Sequence, residues 1–412
     1  MVKIDRELLI RLAAYLRSKP GTREHGSGIS EQDTGSRLED IGSRLGGISN
    51  ATVSMLLKNA REAGLIEEKV VYTGVELSAE EEDTLHTLTF QSVLYKQIVE
   101  RVEAIGHGTA PRVYLYDLRA EGGEDVAVSL RARAFANRAA PDLRRLLARP
   151  SVKTIGVSWG GGIAATVDAL LSPEHTPTRA DDPIKVVALC GEPLDDRPTH
   201  ESSSAIAENL SLALNGSRDH AKTLGITPAY IPTESEAGDL IWRYIVSTKP
   251  YLEVFGPMRL PESARPKESL SSRPLCESLD AFLTSVSIEN GTLGYGAGKI
   301  YRPEYLDPDE ISKAVFGDFG GIPLPRDNLS DDQKKTLEKL KTSWTGVTRE
   351  CIEDCMKKAK FGHRSARPPG TVLIAVGKQK ARGVFQAVVR ESIVNHLFLD
   401  YECAQEFSHL LK

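Results

Sequence analysis

VKTIGVSWGGGIAATVDAL, from Val152 to Leu170, reads as strand, glycine turn and helix. Ile155-Gly156-Val157 is apolar and β-prone. Ser158-Trp159 and the glycines Gly160, Gly161 and Gly162 follow, and then an alanine-rich helical run from Ile163 to Leu171. Such a turn leaves backbone N–H groups unpaired at a helix N-terminus, where the helix dipole favours an anion. Glycine there lets the backbone approach a ligand closely. The alternative is a tight βα turn with no ligand. A glycine turn alone does not decide between them; the position sets the ligand reading level with the ligand-free one, because ligands in α/β sheets bind at the carboxyl ends of strands.

Around this stretch the chain alternates between strands and helices from Arg112 onward. Strands are predicted at Val113–Tyr116, Thr154–Val157, Lys185–Leu189, Ala281–Val286, Val372–Val376 and His396–Leu399. Helices are predicted at Val128–Ala148, Ile163–Leu171, Ser203–Leu214, Ala237–Ile245, Lys380–Val389 and Cys403–Leu411. Alternation of this kind implies a parallel sheet covered by helices on both faces. Two stretches interrupt it. Pro257–Pro274 is rich in Pro and Ser and reads as loop. Leu329–Lys360 reads as one charged amphipathic helix, with Leu337, Leu340, Trp344, Val347, Cys351 and Cys355 on one side and Ser330 and Gln333 able to cap it.

The first 75 residues differ in character. Asp5–Arg17 has Leu8, Leu9, Leu12, Ala13 and Leu16 at helical spacing. Pro20–Gly35 is a polar loop. Leu38, Ile41 and Leu45 mark a second apolar face, Gly46-Gly47 breaks it, and Ser49 is placed to cap a further helix carrying Val53, Leu56, Leu57 and Ala60. Gly64 ends that helix, and Glu68–Tyr72 is β-prone. Two short helices around a glycine turn are a helix-turn-helix pattern, whose second helix would enter the DNA major groove. Its outer face carries Asn50, Thr52 and Ser54, short polar groups suited to base edges, and Lys58 and Arg61, suited to phosphates. A small helical bundle with a glycine turn is the alternative, and the near balance of charge up to Val75 favours it. Ser78 then opens a long helix to about Ile105, either for self-association or for packing on the next domain, and His107–Pro111 is a linker. The domains expected are 1–75 for DNA, 76–111 as a linker helix, and 112–412 for an effector, with the inserted helix near 329–360.

Composition narrows the function. With 412 residues, 40% of them hydrophobic, the chain can build two or three domains and a sizeable core. A net charge of −5 excludes a nonspecific polyanion binder but leaves room for a small DNA-reading module. No apolar run is long enough to span a membrane, and MVKIDRELLI lacks the apolar core of a signal peptide, so a cytoplasmic protein is expected. The five cysteines form no CxxC pair. Cys351 and Cys355 lie one helical turn apart with no histidine at ligand spacing, so a packed helix face is expected there and no metal.

Five stretches in order resemble the SorC-type sugar-binding transcriptional regulators. They are IGSRLGGISNATVSMLLKNAREAGLI (41–66), IGVSWGGGIAATVDAL (155–170), VVALCGE (186–192), AVFGDFGG (314–321) and VLIAVGKQKARGVFQAVVRESIVNHLFLDYECA (372–404). They lie in the family's order and are spread over most of the chain, from Ile41 to Ala404. The resemblance implies an N-terminal helix-turn-helix domain followed by a Rossmann-like parallel-sheet effector domain, similar to phosphosugar isomerases. It also implies a phosphorylated sugar or related metabolite as effector. Ser158, Trp159 and Gly160 match the family's turn at the anion site, which Gly161 and Gly162 complete, and Gly191 matches the glycine after the next strand. Asp318 matches an effector-contacting acid, Gly377 and Lys380 the G-G-x-x-K motif, and Asp400 the acid after the last strand. Three positions depart from the pattern. Gly162 stands where the family usually has threonine, Val376 replaces the first glycine of G-G-x-x-K, and Gly46-Gly47 lengthens the turn by one residue.

The reading is therefore a regulator that binds double-stranded operator DNA and answers to a small sugar-like effector, as a homodimer or homotetramer, with no cofactor. A sugar-phosphate isomerase-like enzyme is the alternative, but no acid–base pair with a defined substrate position is evident. A domain that has lost its ligand and only oligomerises is the third reading.

Overall fold

A computed structural model of the chain describes residues 6–18, 38, 41–62, 81, 92–105, 110–118, 128–172, 177–192, 201–225, 227–231, 235–257, 273–288, 307–361 and 367–412. The expected loop at 20–35, the β-prone run at 68–72 and nearly all of the Pro/Ser-rich stretch after Pro257 lie outside them. The chain divides into two compact units, Met1–Lys96 and Gln97–Lys412.

In the first unit, helix α1 (Arg6–Ser18) packs on residues 41–44, which are helical, and on α2 (Asn50–Glu62). Leu12, Tyr15, Leu16, Ile41, Leu45, Val53, Leu56, Leu57 and Ala60 form its core. The turn between the last two elements closes on Gly42, whose carbonyl accepts from Gly47 N at 2.9 Å and Ile48 N at 3.1 Å. Of the long helix expected over 78–105, residues Val93–Ala104 are helical, as α3, with Ile98 and Val102 buried. Residues 82–91 lie outside the description.

The second unit is built on nine strands: β1 (Arg112–Tyr116), β2 (Thr154–Val157), β3 (Lys185–Ala188), β4 (Ala221–Lys222), β5 (Ala281–Ile288), β6 (Val315–Phe319), β7 (Ile322–Pro325), β8 (Gly370–Ala375) and β9 (His396–Asp400). Seven of them form a parallel sheet in the order β1-β9-β8-β5-β2-β3-β4. The strands β2, β8 and β9 are buried along their whole length, as expected of a parallel sheet covered on both faces. The order of connection places the site. From β2 the chain steps outward to β3 and β4, then returns to the other side of β2 and runs through β5, β8 and β9. The carboxyl ends of β2 and β5 thus flank the point where the direction of winding reverses, which is where open α/β sheets hold ligands.

The helices are α4 (Val128–Leu147), α5 (Gly161–Leu170), α6 (Ser203–Asn215), α7 (Glu236–Val246), α8 (Lys249–Phe255), α9 (Pro308–Ala314), α10 (Asp331–Ser343), α11 (Arg349–Phe361), α12 (Ala381–Phe385) and α13 (Tyr401–Leu410). Helix α5 follows β2 through the glycine turn and buries Ile163, Ala164, Val167 and Leu170.

The expected parallel sheet is present, and β6 and β7 add an antiparallel hairpin to it, joined to the end of β5 through Val286↔Phe319 and Ser287↔Asp318. Two expectations need correction. Leu329–Lys360 is not one helix but α10 and α11. The break comes at Trp344–Thr348, where the backbone pairs sideways instead of continuing the helix. Ile231 N donates to Ser343 O at 2.8 Å, Thr345 N to Ala229 O at 3.0 Å and Val347 N to Leu189 O at 2.7 Å. Ser330 and Gln333 do cap α10, each side chain accepting the other's backbone N–H. Finally, Lys380 does not begin an α-helix that runs to Val389. It ends a 3₁₀ turn (Lys378–Lys380), and α12 passes into a π turn at Gln386–Arg390.

Candidate functional site

Gly160 begins the candidate site with φ 136°, a backbone conformation that side-chain-bearing residues rarely adopt. It swings the chain from β2 into α5, which has no side-chain cap. The first amides of α5, at Gly161, Gly162 and Ile163, have no carbonyl within the helix to pair with. An added Cβ at Gly162 would meet only Ile374 Cγ2, at 3.9 Å, so the space of the missing threonine side chain is open.

Lys380 reaches the neighbouring junction from the loop after β8. Its Nζ donates to Ser285 Oγ of β5 at 2.8 Å. A Cβ on Gly160 would lie 3.7 Å from the Cβ of that same serine, so Ser285 stands between the glycine turn and the lysine. Burial lowers the Lys380 pKa, and the carboxylates of Asp318 and Glu201 oppose that shift electrostatically. The thiols of Cys190 and Cys403 are pushed far up by burial, so both stay neutral.

The other matched residues serve the walls. Ser158 is fully buried, and its hydroxyl donates to Thr284 Oγ1 at 3.0 Å, tying β2 to β5. The Trp159 indole turns into an apolar cluster with Cys190, Tyr230, Ile311 and Trp344. Gly191 is glycine because the chain passes against Thr227 and Pro228: a Cβ would sit 2.7 Å from the Thr227 carbonyl oxygen. Asp318 closes the β6–β7 hairpin, accepting from Gly321 N at 2.8 Å and from the Ser287 hydroxyl. Asp400 caps α13, and its Oδ1 accepts from Cys403 N and from Gly377 N, each at 3.0 Å. Gly377 O in turn accepts from Lys380 N at 3.0 Å. The structure therefore brings Gly160, Gly161, Gly162 and Lys380 to one place, with Asp318 in electrostatic reach. It puts Ser158, Trp159, Gly191, Gly377 and Asp400 behind them as supports.

Sequence reading missed two residues of this site. Ser285 belongs to AFLTSVSI, where Thr284, Ser285 and Ser287 interrupt an apolar strand, a signal that was available. Glu201 looks like an ordinary acid before a helix, and only the fold brings it to the glycine turn.

In the first unit, Ser49 caps α2. Its Oγ accepts from Thr52 N at 3.2 Å and shares a hydrogen bond with Thr52 Oγ1 at 2.9 Å. Thr52 is half-buried and engaged in the cap, whereas Asn50, Ser54 and Lys58 are exposed. Arg61 lies on α2, but its side chain is outside the described residues. Met55, not singled out by the sequence pattern, is 46% exposed on the same outer face. Replacing Ser49 with alanine should cost about 1 kcal/mol of stability, the ordinary worth of such a cap. Equilibrium denaturation of the two proteins measures this, and an unchanged midpoint would refute the capping role.

No family model matches the sequence, and no curated protein matches it either. Solved structures do. A DeoR family transcriptional regulator from Listeria monocytogenes superposes with a TM-score of 0.51 at 15% identity, over 77% of this chain and all of the other. A possible sugar-binding transcriptional regulator domain from Arthrobacter aurescens TC1 also gives 0.51, at 16% identity, over 77% of this chain and 96% of the other. The full-length sorbitol operon regulator SorC from Klebsiella pneumoniae gives 0.50 at 15% identity over 99% of both chains. The chain thus has the fold of the SorC- and DeoR-type transcriptional regulators, an α/β fold with a large parallel sheet.

Proposed function

We propose that the chain is a transcriptional regulator that reads operator DNA through α2 and answers to a small sugar-like effector held where β2 and β5 meet. One observation carries the effector half. Lys380, from the loop after β8, is brought to Ser285 beside the first amides of α5, at the winding reversal of the sheet. The first unit supports the DNA half, with a capped helix presenting Asn50, Ser54 and Lys58 outward. The regulators named among the similar structures agree with both halves. The effector acts only if it binds the DNA-competent and DNA-incompetent states with different affinities. The chain works as a dimer or tetramer in this reading, so its operator is palindromic or tandem. Among the described residues no helix is long and apolar enough to cross a membrane.

Selection of bound sites from random duplex DNA tests the reading. A preferred sequence with repeated half-sites is expected. Lys58→Ala should weaken all sequences alike and flatten the salt dependence, by about one unit of log–log slope for each phosphate that the lysine neutralises. The absence of any preferred sequence in the wild type would end the regulator reading.

A further inference from the structure

The inference rests on the reading of the β2–β5 junction as the effector site, and it concerns what that site accepts. Glu201 directly precedes Ser202, the cap of α6. Its carbonyl accepts the Gly160 N–H at 3.3 Å, which anchors it against the glycine turn. Its side chain lies over the first turn of α5: a Cβ on Gly161 would be 3.0 Å from Oε1 and 3.4 Å from Cδ. Glu201 is half-buried, and among the described residues no hydrogen bond or ion pair engages its carboxylate. The place where a helix N-terminus would receive a ligand's phosphate is therefore overhung by the chain's own carboxylate.

The nearby charges point the same way. Among the described residues, Lys380 is the cation that these elements bring to the turn. Glu201 and Asp318 both lie in its electrostatic field. The N-terminal ends of α5 and α6 contribute about half a positive charge each, so the two carboxylates offset the positive groups. A phosphate monoester carries close to two negative charges at neutral pH and would meet no net positive charge there, with the Glu201 carboxylate facing it over the first turn of α5. Gly162 offers it no hydroxyl, although the space for one is open. Neutral hydroxyl groups fit better. They can donate to Glu201 and Asp318, whose oxygens retain lone pairs, and accept from Lys380 and from the amides of α5.

We propose that the effector is a neutral polyhydroxylated molecule, an unphosphorylated sugar or sugar alcohol, and that Glu201 is the residue that excludes phosphate. The family resemblance implies a phosphorylated effector, and these side chains argue for the plain one.

Inorganic phosphate is the direct probe. Full-length wild type, Glu201→Gln and Glu201→Ala are titrated with it by calorimetry and thermal shift, against chloride at equal ionic strength. Wild type should show no phosphate-specific stabilisation. Both variants should bind phosphate about tenfold more tightly or better, because a like charge a few ångströms away has been removed. The gain should vanish in the double variant Glu201→Gln/Lys380→Ala. Phosphate binding equal in wild type and variants, or no gain in either variant, overturns the proposal. So does any sugar phosphate that wild type binds more tightly than its plain counterpart. The unfolding midpoints without ligand show whether each variant is folded, and two replacements of different size guard against a local defect in one. Operator selection on the same proteins separates the two claims. A wrong charge assignment leaves operator preference intact, whereas a wild type with no operator preference fails the regulator reading whatever phosphate does.

Discussion

Trp344→Ala is expected to lower the stability of the Gln97–Lys412 unit by about 3–5 kcal/mol, the range for truncating a large buried aromatic. The indole is 4% exposed. It meets Trp159 edge-on at 5.6 Å between ring centroids and Tyr230 at 5.0 Å. Its Nε1 donates to Val347 O at 2.8 Å, so alanine would leave both a cavity and a buried carbonyl without its donor. The ring is also pressed on Gly321, where a Cβ would lie 2.6 Å from Cζ3. Trp344→Phe keeps most of the apolar packing and removes the N–H, so its cost should be clearly smaller. Guanidinium denaturation followed to equilibrium reads both values. A loss below about 1 kcal/mol for the alanine variant, the level of an ordinary surface change, would show that the cluster does not depend on this ring. The functional consequence follows from Trp159, which sits immediately before Gly160. Loosening its packing frees the glycine turn, so effector response should fall even where the variant remains folded.

Trp344 also shows where the sequence could not be read. Leu337, Leu340, Trp344, Val347 and Cys355 keep a helical apolar spacing across 329–360, and a helix is what that spacing predicts. The helix nonetheless breaks at Trp344, because the backbone there pairs with residues 229–231 and Leu189. Those partners are more than a hundred residues away in sequence. The β6–β7 hairpin was hidden for a similar reason. Its strands are short, and its register depends on Ser287 and Asp318 meeting. By contrast, β2, α5, β9 and α13 were legible, since each combines local propensity with burial along its whole length or face. The site divides in the same way. The glycine turn and Lys380 stand out in the sequence because backbone geometry and a motif mark them. Glu201 does not, since its role comes from a loop that folds back on Gly160.

The second large effect is expected at Asp400. Its Oδ1 accepts two buried N–H groups, from Gly377 and Cys403, at 3.0 Å each. Asp400→Ala leaves both donors unsatisfied, at about 1–3 kcal/mol for each. It also removes the cap of α13 and frees Gly377, whose carbonyl holds the backbone of Lys380. Stability and effector response should therefore fall together. Asp400→Asn behaves differently, because an amide oxygen can still accept both bonds. Burial raises the Asp400 pKa, against the lowering effect of those two N–H groups. A carboxyl whose folded-state pKa is raised binds its proton more tightly in the folded chain. Its charged form is thus a burden at neutral pH, relieved as pH falls through the folded pKa. Asp400→Asn should then be as stable as wild type or slightly more stable at pH 7, and that advantage should shrink as the solution is acidified. Denaturation midpoints for wild type and both variants across the acid range measure this. If Asp400→Asn loses as much as Asp400→Ala at pH 7, the negative charge, and not the acceptor geometry, is what holds the loop that carries Lys380.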